Sequence, residues 1–490
     1  NLINEDLSPT PQSDRNWNTW NYFSLWVGMA VCIPSYMIAA SLISAGMSLF
    51  HASLCVLLGN LIVLIPMLLN GKVGAKYGIP YPVYARSSFG IYGSNIPALL
   101  RAIVACGWFG IQSWIGGTAI FALIKMIWPG FALLPNFLPE FMGVETAPFI
   151  SFLIFWGINV FIILKGVQTI KFLETASAPL LLLSGIGLLI WAVTKAKSVT
   201  PAGSEGLMSL INQPSQFKTS AEFWSVFIPS LTGMVGFWAT MSLNIPDFTR
   251  YAKDQKSQFW GQALGLPITM TLFALIGIIV TKATGIIYGT PIWDPVQVIT
   301  KFDNPFILFF AMLIIGIATL STNVAANVVG PANDFSNAAP SKINFKKGGL
   351  ITAFIGILMM PWKLIADPQG YIFTWLIGYS SLLGPIGGIL LCDYFIVRKQ
   401  ILNTDELYTN KGQYYYYKGF NFAAIIAFIT GVIPNIPGFL YRIKFIDTIS
   451  PMFETIYNYA WFVGLPLAGI VYLGLMKLSI FNKQTEFIQE

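Results

Sequence analysis

The sequence predicts an all-α integral membrane protein of about twelve transmembrane helices, the first and sixth of them broken. Three observations carry this. Of 490 residues, 55% are hydrophobic and only 10% charged, with a mean hydropathy of +0.66, whereas a soluble domain is about a quarter charged. The apolar residues gather in stretches long enough to cross a hydrocarbon core of about 30 Å, which takes about 20 residues of helix. Glycine and proline interrupt two of those stretches that stand five apart in order.

In the first half the expected spans run from Tyr22 to Gly46, Ser48 to Leu69, Ile96 to Trp128, Pro148 to Leu164, Ala176 to Val193 and Phe223 to Leu243. In the second they run from Gly261 to Ala283, Pro305 to Gly330, Gly348 to Met360, Ile372 to Val397, Phe420 to Leu440 and Ile456 to Leu475. The polar stretch Asn1 to Asn18 does not read as a cleaved leader, so the first span is expected to direct insertion. The cysteines, Cys32, Cys55, Cys106 and Cys392, lie in or beside spans without paired spacing, which suggests neither a disulfide frame nor a zinc site.

The net charge of +7 matters less than where the basic residues fall. The larger share of the 28 Lys and Arg occupies the loops on the side that holds both termini, which places both termini in the cytoplasm. The stretch from Lys72 through Lys76 and Arg86 to Arg101 contains no acidic residue. Membrane lipid and a small-molecule substrate are the expected partners, and nucleic acid is not one.

The first span reads Trp26-Val27-Gly28-Met29-Ala30-Val31-Cys32-Ile33-Pro34; the sixth reads Gly233-Met234-Val235-Gly236-Phe237-Trp238, followed by Asn244-Ile245-Pro246-Asp247. Such residues free backbone groups that must then face protein, water or ligand. Either the prolines only kink packed helices, or the two breaks are the paired interruptions of an inverted repeat, where transporters bind substrate and ion near the midplane.

In the third span Trp108 and Gln112 share one helical face, an indole beside a carboxamide that suits a flat polar ring. Trp238 could close the other side. Packing or helix-tying roles explain the same residues equally simply. In the eighth span Ala318, Ser321 and Thr322 could present one carbonyl and two hydroxyls to a monovalent cation, with carbonyls near Gly28 and Val31 completing the shell. Asn323 and Asn327 share a second face and would aim carboxamides at a substrate. The alternative is that the hydroxyls bond back to their own helix and the asparagines bridge neighbours.

Acidic residues are expected only near span ends or in loops, with Glu174, Glu222, Asp247, Asp334 and Asp393 at the ends, and the single His51 begins the second span. Without an intramembrane carboxylate or histidine relay, sodium is favoured over protons as the driving ion and a neutral substrate over a charged one. No cofactor is expected. An enzyme is disfavoured as well, since the chain has no His-Glu-x-x-His, no Gly-x-Ser-x-Gly and one histidine in all. A passive channel is the remaining non-carrier reading.

Four motifs carry a resemblance: the run Tyr77-Gly78-Ile79-Pro80-Tyr81-Pro82-Val83-Tyr84-Ala85-Arg86-Ser87-Ser88-Phe89-Gly90, the run Asn244 to Arg250, the run Ser321 to Asn327, and Leu383-Gly384-Pro385-Ile386-Gly387-Gly388. Together they make the chain resemble the nucleobase:cation symporter-1 family of purine, cytosine, uracil, allantoin and hydantoin permeases, the bacterial allantoin permeases most of all.

The resemblance implies the leucine-transporter-like fold of two inverted five-helix repeats plus two extra helices. Its divisions fall at 1–21 (cytoplasmic tail), 22–195 (first repeat), 196–397 (second repeat), 398–419 (cytoplasmic loop), 420–476 (last two helices) and 477–490 (cytoplasmic tail). It implies a bacterial inner-membrane carrier, functional as a monomer, that imports a neutral planar N-heterocycle by sodium symport with alternating access. Allantoin or a related hydantoin is the leading substrate; a uracil, cytosine or purine permease, proton-coupled or ion-independent, is the runner-up. It further implies that Trp108 and Trp238 sandwich the ring, that Gln112 and Asn327 pair with its amide edge, and that sodium is held by the carbonyls of Gly28, Val31 and Ala318 and the hydroxyls of Ser321 and Thr322. Two positions depart from the hydantoin carriers, where Cys32 replaces a glutamine and Phe237 a glycine, so ring specificity does not carry over.

Overall fold

The computed structural model describes residues 2–165, 167–200 and 212–478. Among them eight helices are long and apolar enough to cross a membrane, and two bent pairs bring the number to ten. The remaining two expected spans are short or interrupted. The sixth is split into Ser220–Phe237 and Ala239–Asn244, and the ninth, Phe345–Leu358, has 14 residues, which is about 21 Å of helix. Of the expected C-terminal tail, residues 479–490 lie outside the described residues, as does the side chain of Glu174.

The first span shows how local chemistry shapes the fold. Asn18 opens it with a capping box, its side chain accepting from the Asn21 N–H while Asn21 accepts in return. The helix Thr19–Ala30 stops at Val31, Cys32 is extended, and Ile33–Ser44 resumes after a bend of 60°. Pro34 has no N–H to continue the ladder. The second span, Leu49–Tyr77, ends on Gly78 in the left-handed region at φ 70°, where glycine carries no steric cost.

The third span, Asn95–Ile127, packs along the eighth, Pro305–Ala338, while both halves of the first pack on the seventh, Gln255–Tyr288, and the tenth, Gly370–Val397, packs through its segment Ile377–Cys392 on the last helix, Ala460–Met476. At Gly110 a Cβ would come within 2.5 Å of the Gly356 carbonyl, so glycine there permits the close approach of the third and ninth spans.

On the face holding the N-terminus, the motifs singled out in the sequence meet one another. Asp247 Oδ1 accepts from the Tyr81 N–H at 2.8 Å, and Arg86 donates to Asn337 Oδ1 and to the carbonyls of Leu2 and Leu407. Arg250 grips the N-terminal segment through Thr10 Oγ1 and the carbonyls of Asp6 and Ser8. Side chains of the loop that follows the tenth span join the same face. Tyr416 donates to Ser87 O at 2.7 Å, and the Arg398 guanidinium, paired with Asp393 at 3.0 Å, lies over the Tyr414 ring.

Candidate substrate and ion site

The two broken spans meet the third and eighth around a cavity of about 30 Å³, room for about two water molecules. Cys32 and Pro34 come from the first break, Trp108 and Gln112 from the third span, Phe237 and Trp238 from the second break, and Thr322 and Asn327 from the eighth span. Seven of the fourteen lining residues, Cys32, Trp108, Gln112, Phe237, Trp238, Thr322 and Asn327, are among those the sequence singled out for the ring or the ion.

The aromatic arrangement differs from a simple sandwich. Trp108 and Trp238 both line the cavity, but each packs edge to face on Phe237, at 5.1 Å and 4.9 Å between centroids. Behind Trp238 stands Trp26 at 5.0 Å; around Trp108 stand Tyr371, Trp375 and Tyr379 of the tenth span at 5.8–6.3 Å. Tyr371 also donates to the Pro34 carbonyl at the first break.

Polar groups left unpaired mark where a ligand would bond. Among the described residues Gln112 Oε1 and Trp238 Nε1 are buried without a partner, an arrangement that costs free energy unless a ligand or water completes it. Asn327 donates its N–H to Asn323 Oδ1 and lines the cavity. Cys32 spends its thiol on Ser35 Oγ at 3.2 Å.

The first and eighth spans touch, as a shared ion requires. At the first break the Cys32 N–H bonds Ala30 O and the Ser35 N–H bonds Cys32 O. Those are the donors that an unbroken helix would deliver to the carbonyls of Gly28 and Val31. Ser321 Oγ is buried and unpartnered, while Thr322 Oγ1 donates to Ala318 O at 3.0 Å and keeps its lone pairs free to accept a cation. This neutral oxygen set fits a monovalent hard cation.

Two expectations are corrected. Asn323 does not face the cavity: its amide donates to Phe109 O, Ser113 Oγ and Asn159 Oδ1, at 3.2, 3.1 and 3.1 Å, and so joins the third, fourth and eighth spans. Nor is the cavity wall free of charge. The eighth span runs on to Ala338 rather than ending at Gly330, which carries Asp334 into the protein. There it pairs with Arg101 at 2.8 Å, both fully buried, and Arg101 lines the cavity.

Arg101 carried a sequence signal that went unread: Arg101, Ala105, Trp108 and Gln112 follow one helical stripe. The same holds for Tyr371, Trp375 and Tyr379, spaced by four.

Residues 9–464 match the model of the family described as permease for cytosine/purines, uracil, thiamine, allantoin. The chain is 43% identical over 481 residues to a purine-uracil permease of Arabidopsis thaliana, covering 97% of this chain and 78% of that one. It is 40% identical over 478 residues to the allantoin permease of Bacillus subtilis (strain 168), covering 97% and 94%. Among solved structures it resembles Mhp1, a nucleobase-cation-symport-1 family transporter in a closed conformation with bromovinylhydantoin bound, at a TM-score of 0.72 and 24% identity over 99% of this chain and 100% of that one. That likeness, with the one to MhsT at a TM-score of 0.54 and 17% identity over 95% and 98%, shows the leucine-transporter-like fold.

Proposed function

The chain belongs to the family of permeases for cytosine/purines, uracil, thiamine and allantoin, which makes it a secondary transporter and not an enzyme, and on that premise we propose that it imports allantoin or a related hydantoin together with sodium. The observation that carries the substrate half is that two residues lining the aromatic cavity, Gln112 and Trp238, each keep a buried polar atom, Oε1 and Nε1, without a partner among the described residues. A ureide ring alternates N–H and C=O groups. Its N–H groups can donate to Gln112 Oε1 and Asn327 Oδ1, and a carbonyl can accept from Trp238 Nε1. Stacking on an indole contributes about 1–3 kcal/mol per ring face, by analogy with base stacking.

The two relatives, at 43% and 40% identity, transport different substrates by their names. A uracil, cytosine or purine substrate is therefore the second reading.

Sodium, as co-transported substrate, would bind between the first and eighth spans at the freed carbonyls of Gly28 and Val31, at Ala318 O and at the hydroxyls of Ser321 and Thr322. Bound there it braces the broken first helix against its neighbour and so shapes the ring site. Alternating access then needs one barrier on each side. The aromatic triad Tyr371, Trp375 and Tyr379 packs around Trp108 from the tenth span and would form one barrier; the Arg101–Asp334 pair stands on the side of the N-terminal face, which is cytoplasmic in this scheme. In this scheme the carrier acts as a monomer in the bacterial plasma membrane.

The test is a thermal-shift screen of the purified protein against allantoin, hydantoins, uracil, cytosine and hypoxanthine in sodium and in potassium. A ligand that binds the native state raises its stability. The expected result is a shift by allantoin that is larger in sodium; equal shifts in both salts remove the sodium coupling, and a shift by uracil alone replaces the substrate. Counterflow in proteoliposomes separates carrier from channel, since only a carrier lets internal unlabelled substrate draw labelled substrate inward.

A further inference from the structure

The indoles of the cavity are linked through a side chain that stands where a bound ring would lie. The Phe237 phenyl ring meets Trp108 at 69° and Trp238 at 81°, at separations typical of edge-to-face pairs. It is itself buried, and what remains beside it is the cavity of about 30 Å³. Pockets that enclose small ligands begin at about 300 Å³. With the phenyl group in place, not even a five-membered ring can stack between the indoles, so a fixed wall is inconsistent with the cavity's use.

The backbone permits movement here. Phe237 is the last residue of Ser220–Phe237, and Trp238 leaves the helical conformation at φ −103° and ψ 10°. Turning the phenyl ring about its side-chain torsions breaks no hydrogen bond of the helix.

We propose that Phe237 is an internal stand-in for the substrate ring: in the ligand-free carrier its phenyl group fills the aromatic cage, and it swings out as substrate stacks. The inference rests on the reading of this cavity as the substrate site. Two consequences follow from having to vacate the cage. Apparent affinity falls by the fraction of carriers in which the cage is open. Ring size is limited by how far the displaced phenyl can retreat, which disfavours rings bearing a substituent as large as a phenyl group.

The experiment titrates allantoin, uracil and a hydantoin carrying a phenyl substituent into purified wild type, Phe237→Ala and Phe237→Leu, by isothermal calorimetry in sodium. Each variant is first checked for a single symmetric peak on size exclusion. The expected result is that Phe237→Ala binds the ring that wild type prefers at least fivefold more tightly and gains at least tenfold for the substituted hydantoin. Phe237→Leu, which keeps bulk without an aromatic face, lies between and serves alone if the alanine variant does not fold. Unchanged or weaker binding of the preferred ring in the variants overturns the stand-in while leaving the substrate site intact. No binding of any ring by wild type or variants overturns the site reading itself, and the stand-in with it.

Discussion

Asn327 donates its side-chain N–H to Asn323 Oδ1 at 2.9 Å, and this one bond divides the labour of two asparagines a helical turn apart. Asn323 turns inward to Phe109, Ser113 and Asn159, while Asn327 stays at the cavity wall. Replacing Asn323 by Leu orphans Asn159 and the Asn327 amide, and is expected to destabilise the carrier by about 1–3 kcal/mol. Asn327→Ala is expected to weaken ring binding with a smaller loss of stability. Melting curves set beside binding titrations for both variants check the division, and a reversed pattern removes it.

The Arg101–Asp334 pair is isolated from solvent on both sides. Removing one partner of such a pair leaves an uncompensated charge, at a cost of about 3–5 kcal/mol, whereas replacing both by apolar groups is often close to neutral. Arg101→Leu and Asp334→Leu are each expected to lower the melting temperature sharply, and the double variant to recover most of the loss. Additive losses in the double variant would show that the charges act independently.

Trp108→Ala deletes one stacking face and is expected to weaken binding by about 1–3 kcal/mol, or about 5- to 150-fold. Calorimetric titration of the preferred ring reads this directly. A change of less than twofold argues that the ring does not lie on this indole.

Ser321 Oγ is the buried hydroxyl with no protein partner among the proposed sodium ligands. Ser321→Ala is expected to raise the sodium concentration for half-maximal stabilisation about tenfold, corresponding to about 1.5 kcal/mol for one hydrogen-bond-like contact to a charge. The measurement is thermal stability against sodium at constant ionic strength. An unaltered midpoint moves the ion elsewhere.

Asp294 lies outside the spans and caps the short helix Pro295–Ile299, accepting from the Val296 N–H. Burial pushes its carboxyl up to about 6 from 3.8. The folded protein therefore holds this proton more tightly than the unfolded chain does, and stability present below about pH 4 is lost as pH rises through about 6. Asn caps as well as Asp, so Asp294→Asn is expected to raise the melting temperature at about pH 7.5 and change it little at about pH 4. An equal shift at both values assigns the effect to something other than this titration.

Much of the site was legible because helices convert spacing into faces. Trp108 and Gln112, four apart, do line one cavity, and Gly28, Val31 and Pro34 do mark a break. Asn323 misled because spacing places it within an arc of the helix but not against a neighbour, and its partners lie 164 to 214 residues away. Asp334 was assigned to a span end because apolar character fades at Gly330, yet the helix continues where Arg101 neutralises its charge.

The amino-acid order alone determined the membrane class, the order of the spans and the location of the first break, because each depends on apolar runs and on residues that cannot continue a helix. Only the tertiary structure decided which polar side chains are spent on neighbouring helices and which are left for a ligand, and that Phe237 stands in contact with both indoles. Those outcomes depend on how helices rotate and pack against one another, and a linear spacing carries no information about the facing partner.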